Sequence, residues 1–138
     1  MHSILVKDYM ERDSHAISVN ANTAEVVSRL LKSGASGIPV IDDSKSVVGF
    51  VSEQDCIKEM LNGVFFCDEP PSVRKIMQPE VMTVAANASI VELAQTMLRE
   101  KPKVYPVLSE GKLVGVITRR HVLRALIDND EDCYLQIK

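Results

Sequence analysis

Val48-Gly49-Phe50-Val51-Ser52-Glu53-Gln54-Asp55 and its echo, Val114-Gly115-Val116-Ile117-Thr118-Arg119-Arg120-His121, decide the fold of this chain. Each is an apolar run entered through a glycine, closed by a hydroxyl residue and followed by a polar or charged step into helical periodicity. A glycine in such a run lets another group come close to the backbone, because no Cβ stands in the way. The hydroxyl falls where a strand becomes a helix, so its oxygen and the amides of the first turn face whatever occupies the junction. Two such junctions in one short chain predict two related sites.

The echo extends in both directions. Val6-Lys7-Asp8-Tyr9-Met10 and Val73-Arg74-Lys75-Ile76-Met77 stand 67 residues apart, and the same shift brings Ile38-Pro39-Val40-Ile41 onto Tyr105-Pro106-Val107-Leu108. With the second hairpin turn one residue shorter, Gly49-Phe50-Val51-Ser52 falls on Gly115-Val116-Ile117-Thr118. The chain therefore reads as a duplication, with repeat 1 over residues 1–62, a connector over 63–71 and repeat 2 over 72–127. An acidic tail, 128–138, opens with Asp128-Asn129-Asp130-Glu131-Asp132.

Both repeats predict the order β-α-β-β-α. In the first, Ile17–Val19 is a short strand, and Asn22 or Thr23 caps a helix over Ala24–Ser33 with Val26, Val27, Leu30 and Leu31 at helical spacing. Gly37–Ile41 is a strand in which Pro39 argues for a strand start or an edge. Asp42–Ser46 has the composition of a hairpin loop, and Val47–Val51 is apolar enough to be buried on both faces. A helix then runs from Ser52 to Leu61. In the second repeat the strand is Val81–Val84, and the helix Ser89–Arg99 carries Ile90, Leu93, Ala94, Met97 and Leu98 on its apolar face. Lys103–Leu108 and Lys112–Thr118 form a hairpin through Glu110-Gly111, and a helix over Arg119–Ile127 closes the repeat. Gly63 and Pro70-Pro71 end regular structure in the connector, where Phe65 and Phe66 are expected to tuck against the body.

Bulk properties narrow the function classes. The 138 residues, 46% hydrophobic and 25% charged, suit one soluble domain or two small units sharing a core. A formal net charge of −3 gives no global attraction to nucleic acid or an anionic membrane. No apolar run approaches the ~18–20 residues that span a bilayer. Met1–Asp8 lacks the hydrophobic region of a secretory signal, and Cys56, Cys67 and Cys133 are odd in number and widely spaced. Neither a disulfide framework nor a zinc site is expected, His2 and His15 stand alone, and the expected setting is a reducing cytoplasm. No Walker loop and no Ser-His-Asp or Cys-His arrangement appears, so the expectation is that the chain is not an enzyme.

The two junctions differ in charge. Ser52 with Asp55 matches a capping box, and Glu53 and Asp55 suit the positive end of the helix dipole, so capping alone explains all three. Thr118 is also a good cap, but Arg119, Arg120 and His121 follow it, where exposed cations oppose the dipole by ~0.3–1 kcal/mol each. A bound anion reverses that sign; solvation or pairing with acidic neighbours is the plain alternative.

The duplicated β-α-β-β-α unit, with its Pro-Val strands and Gly-hydrophobic-hydrophobic-Ser/Thr-x-x-Asp junction, resembles a tandem pair of cystathionine β-synthase (CBS) domains, a Bateman module, over about residues 6–127. The resemblance implies an α/β (α+β) fold of two repeats packed sheet to sheet about a pseudo-twofold axis, with clefts for AMP, ADP, ATP or S-adenosylmethionine between them. Carried onto this sequence, it makes Ser52 and Asp55 ribose and phosphate contacts, and places Ser18, Gly37, Ile38 and Pro39 around the adenine. The second site takes Thr83, Val104, Tyr105, Pro106 and Thr118, and Arg119, Arg120 and His121 are suited to phosphate. His121 stands where the family has Asp, and an imidazole cannot accept from two ribose hydroxyls as a carboxylate does. The second site is thus altered toward phosphate or empty. The resemblance further implies a non-catalytic regulatory ligand sensor, commonly a homodimer, that relays its state to a partner protein or its own dimer. A structural or interaction module with degenerate clefts is the alternative.

Overall fold

The structure, a computed structural model, describes residues 4–12, 15–63 and 69–129. His2, Phe65, Phe66, Cys67, Cys133 and the tail from 130 onward lie outside them, and with them the expectation that the two phenylalanines tuck the connector inward. The described residues form two compact units, 15–63 with 69–81 and 82–129 with 4–12. Among the described residues the fold is mixed α+β, with two three-stranded sheets and four α-helices.

In the first unit, β1 (Ile17–Ser18), α1 (Thr23–Ser33), β2 (Gly37–Ile41), β3 (Val47–Ser52) and α2 (Glu53–Leu61) follow the expected order. In the second, β4 (Val84–Ala85), α3 (Ile90–Arg99), β5 (Val104–Ser109), β6 (Lys112–Thr118) and α4 (Arg119–Asn129) repeat it. Each sheet has the same plan. A two-residue strand runs parallel to the middle strand, and the middle strand is antiparallel to its hairpin partner. The β5–β6 turn puts Glu110 and Gly111 at φ 53° and 80°, the left-handed pair of a type I′ hairpin.

The local signals behave as capping chemistry requires. Asn22 accepts from the Glu25 amide at 2.9 Å while the Glu25 carboxylate accepts from the Asn22 amide, a closed capping box at the start of α1. Ser89 accepts from Val91 and Glu92 at the start of α3. Val26 and Leu30 on α1 and Ile90, Leu93 and Met97 on α3 enter the cores of their units. Burying such side chains contributes about 1.5–3 kcal/mol each.

Four expectations are corrected. Pro39 is fully buried inside the middle strand, neither at a start nor at an edge. It is tolerated because β1 begins level with Val40, so no strand calls for the N–H that proline lacks; β4, beginning opposite Val107, leaves Pro106 in the same position. In β3 only Gly49 and Val51 are buried, so that strand is not covered on both faces. The strand expected over Val81–Val84 is β4 at Val84–Ala85, because β5 offers it partners only at Val107 and Leu108. Leu31 and Leu98 point outward, 78% and 88% exposed, where helical spacing had put them on the apolar face.

The Val-x-x-x-Met segments do something their sequence does not announce. Each forms a short 3₁₀ turn, over Val6–Asp8 and Val73–Lys75, and then bridges a hairpin strand. Gln78 exchanges both backbone hydrogen bonds with Phe50, at 2.8 and 2.9 Å, and Glu11 does the same with Val116, at 2.8 and 3.0 Å. Residues 69–81 therefore complete the unit built on β1–β3, and residues 4–12 complete the unit built on β4–β6. The repeats of the sequence and the compact units of the fold are two different divisions of the chain.

Candidate functional site

The glycine of each junction admits the chain itself. A Cβ on Gly115 would stand 2.5 Å from the Glu11 carbonyl oxygen and 3.1 Å from the Met10 sulfur. A Cβ on Gly49 would meet the Met77 sulfur and stand 3.1 Å from the Gln78 carbonyl oxygen. The close approach read from the sequence is thus made by the bridging segments.

At the β3–α2 junction Ser52 has extended backbone (φ −114°, ψ 166°) and caps α2. Its hydroxyl accepts from the Asp55 amide at 3.2 Å. Asp55 Oδ2 accepts from the Ser52 amide and from the Ser52 hydroxyl, both at 2.9 Å. The other oxygen, Oδ1, accepts from Gln78 Nε2 at 3.3 Å, and the Glu53 amide donates to the Ser36 carbonyl at 2.9 Å. The half-buried carboxylate is thus held at the positive end of α2 with both oxygens engaged. Two consequences follow for chemistry: its orientation is fixed, and a ligand hydroxyl must share or displace one of these donors.

The β6–α4 junction copies the frame with different atoms. The Thr118 amide donates to His121 Nδ1 at 2.9 Å, and the Thr118 hydroxyl lies 3.1 Å from the same nitrogen. The imidazole stands in for the carboxylate of the capping box. Arg119 and Arg120 are exposed on the first turn behind it.

Register decides which expected site residues meet. Gly37 pairs with Ser52 and Val104 with Thr118, so the start of each middle strand lies beside its junction. Ile38, Pro39, Tyr105 and Pro106 follow on these strands, all buried. Ser18 does not join them. It pairs with Ile41, four residues along β2 from Gly37, or about 13 Å at ~3.3 Å per residue. Its exposed side chain accepts from the Asn20 amide at 3.0 Å. Thr83 is exposed and precedes β4. Gln78 was missed in the sequence. The only signal for it was its place directly after the repeated methionine, on which the 67-residue shift superposes Glu11.

Two further groups shape the electrostatics. Burial, then the charges of Asp55 and Glu53, push the Cys56 thiol up from 9.0 to about 11, so this cysteine is an inert core residue. Tyr105 is buried, and its hydroxyl has no hydrogen-bond partner among the described residues. Burial and Glu100 raise its pKa, and Arg119 opposes them. No group of three or more His, Cys, Asp or Glu among the described residues is placed to hold a metal ion. No helix among them is long and apolar enough to cross a membrane.

A family model of the CBS domain matches residues 6–62 and again 73–128. The chain belongs to the CBS domain family. The crystal structure of the CBS-pair protein CBSX2 from Arabidopsis thaliana superposes with a TM-score of 0.80 at 25% identity, covering 96% of this chain and 100% of that one. The structure of CBSX2 in complex with AMP gives 0.77 at 26%, covering 92% and 98%. MJ1225 of Methanocaldococcus jannaschii is 26% identical over 121 residues, 88% of this chain. The chain spans 42% of MJ1225 and 63% of the full CBSX2 sequence, under two thirds of either relative. In CBS terms the chain is a tandem pair whose two junctions share a backbone frame and differ in the residue that closes the cap.

Proposed function

We propose that this CBS pair is a non-catalytic regulatory module that binds an adenosyl ligand, AMP, ADP, ATP or S-adenosylmethionine, and relays its ligand state to a partner or to its own dimer in the cytoplasm. The Asp55 carboxylate carries the reading. It is fixed at the α2 N-terminus beside Gly37 and Ser52, an acceptor pair suited to ribose hydroxyls. The likeness to a CBS pair crystallised with AMP supports the ligand class. Arg119 and Arg120 at the start of α4 supply cations for phosphate. Binding shifts a conformational equilibrium only by its differential affinity for two states, so a module without chemistry of its own acts through what it touches.

Homodimerisation is part of the proposal. Exposed apolar side chains recur at matching positions of the two repeats, Leu31 with Leu98, Ile57 with Leu123 and Leu61 with Ile127, as a self-complementary surface needs.

Calorimetric titration against the four ligands tests the reading. Binding of at least one is expected, weakened by Asp55→Ala, and weakened by Arg120→Ala more strongly as phosphate count rises. Absence of heat and of competition at millimolar ligand overturns it. The second reading, an interaction module with unused clefts, is favoured by one observation: both cap residues already have their partners within the protein.

A further inference from the structure

Both caps accept from the backbone amide of the residue before the helix, but the residue types at the cap and at its neighbour on the bridging segment differ between the units. In the first unit an acceptor, Asp55, faces a donor, Gln78, at 3.3 Å. In the second, His121 fills the Asp55 position and Glu11 fills the Gln78 position, on a bridging segment with the same backbone exchange. A neutral imidazole that accepts at Nδ1 carries its proton on Nε2. The Thr118 amide can donate only while Nδ1 is bare. A protonated imidazole is a donor at both nitrogens and loses this contact, and a carboxylate at the Gln78-equivalent position is the acceptor that a donor there requires.

We propose that His121 is a proton-operated latch on the start of α4. Neutral, it closes the cap on Thr118; protonated, it releases the Thr118 amide and turns to the Glu11 carboxylate. Histidine is the side chain that ordinarily changes charge within the physiological pH range. The latch therefore ties the β6–α4 junction to pH. The charged and titratable groups on the elements around it are Arg119, Arg120, Arg124 and Asp128 on α4 itself, Lys7, Asp8, Tyr9, Glu11 and Arg12 on the bridging segment, where the Tyr9 hydroxyl donates to Asp128 at 3.4 Å, and Lys103 and Tyr105 flanking Val104, which pairs with Thr118. The neighbouring α3 brings Glu92 and Arg99, with Glu100 at its end. Of all these, Glu11 alone combines an acceptor with the Gln78-equivalent position.

The test is amide hydrogen exchange with side-chain nitrogen NMR on the full chain, from about pH 5 to 8. In the wild type, Thr118 amide exchange, corrected for its intrinsic pH dependence, should rise about fivefold as His121 protonates, the scale of losing an N-cap. H121N, whose side-chain oxygen accepts at every pH, should hold Thr118 flat, and E11Q should move the midpoint to lower pH. H121D, which copies the Asp55 cap, is the control should H121N fold poorly. Thr118 protection that stays constant while the His121 nitrogens titrate overturns the latch. So does an H121N or H121D protein that follows the wild-type curve. An unmoved midpoint in E11Q removes Glu11 from it.

Discussion

The β3–α2 and β6–α4 junctions share a backbone and differ in one capping atom. Each has a bridging segment pressed onto a glycine, a hydroxyl residue directly before the helix and an acceptor three residues on. In the first the acceptor is a carboxylate engaged on both oxygens; in the second it is one imidazole nitrogen. The glycine and the bridge thus set the frame, and the third residue of the helix sets the chemistry. The sharpest way to break this comparison is to load the frame itself. Gly115→Ala sets a Cβ 2.5 Å from a backbone carbonyl that cannot move without breaking the Glu11–Val116 pair. A cost of about 3 kcal/mol is expected. Gly49→Ala first meets the Met77 thioether, which can turn aside, and should cost about 1 kcal/mol. Urea unfolding of the two variants reads the difference. Equal losses would show that the carbonyl at Gly115 and the thioether at Gly49 resist a Cβ alike, and would remove the distinction.

Much of this was legible because duplication writes the same signal twice. The capping residues, the hairpins and the middle strands all announce themselves through local chemistry. What approaches Gly49 and Gly115 does not, because the Gln78–Phe50 and Glu11–Val116 pairs are made by backbone groups that every residue carries. That Ser18 pairs with Ile41 and not beside Gly37 was not legible, because the register of a parallel two-residue strand leaves no trace in its side chains. Leu31 and Leu98 show a third limit. Helical spacing groups apolar residues on a face, and it cannot say whether that face meets the core or something outside the chain.

The next contrast lies one residue beyond the caps, where repeat 1 has Cys56 and repeat 2 has Val122, both 4% exposed. The Cys56 thiol is raised from 9.0 to about 11 by burial and then by Asp55 and Glu53. The folded state holds this proton more tightly than the unfolded chain. Its contribution is therefore whole below pH 9.0 and is lost as pH rises toward about 11. Cys56→Val puts the second repeat's residue into the first and should flatten that alkaline limb by roughly 2 kcal/mol. Stability measured at pH 8 and pH 11 reads the effect. Unchanged alkaline sensitivity would place its origin elsewhere. The same raised pKa predicts that at pH 8 the native thiol reacts with iodoacetamide about 100-fold more slowly than an exposed one.

The smallest expected effect on folding concerns the positions where the repeats agree against expectation. Leu30 and Met97 occupy one matched position and are buried; Leu31 and Leu98 occupy the next and are exposed. Leu30→Ala and Met97→Ala should each cost about 2–5 kcal/mol, since each opens a cavity. Leu31→Gln and Leu98→Gln should each change monomer stability by less than about 0.5 kcal/mol, because neither side chain has core contacts to lose. If these leucines serve pairing with a second copy, the same substitutions should weaken association in sedimentation velocity while unfolding stays fixed. Both repeats carry an exposed leucine at this matched position. A variant pair that neither unfolds nor dissociates more readily would leave Leu31 and Leu98 as ordinary exposed residues and remove the main support for the dimer.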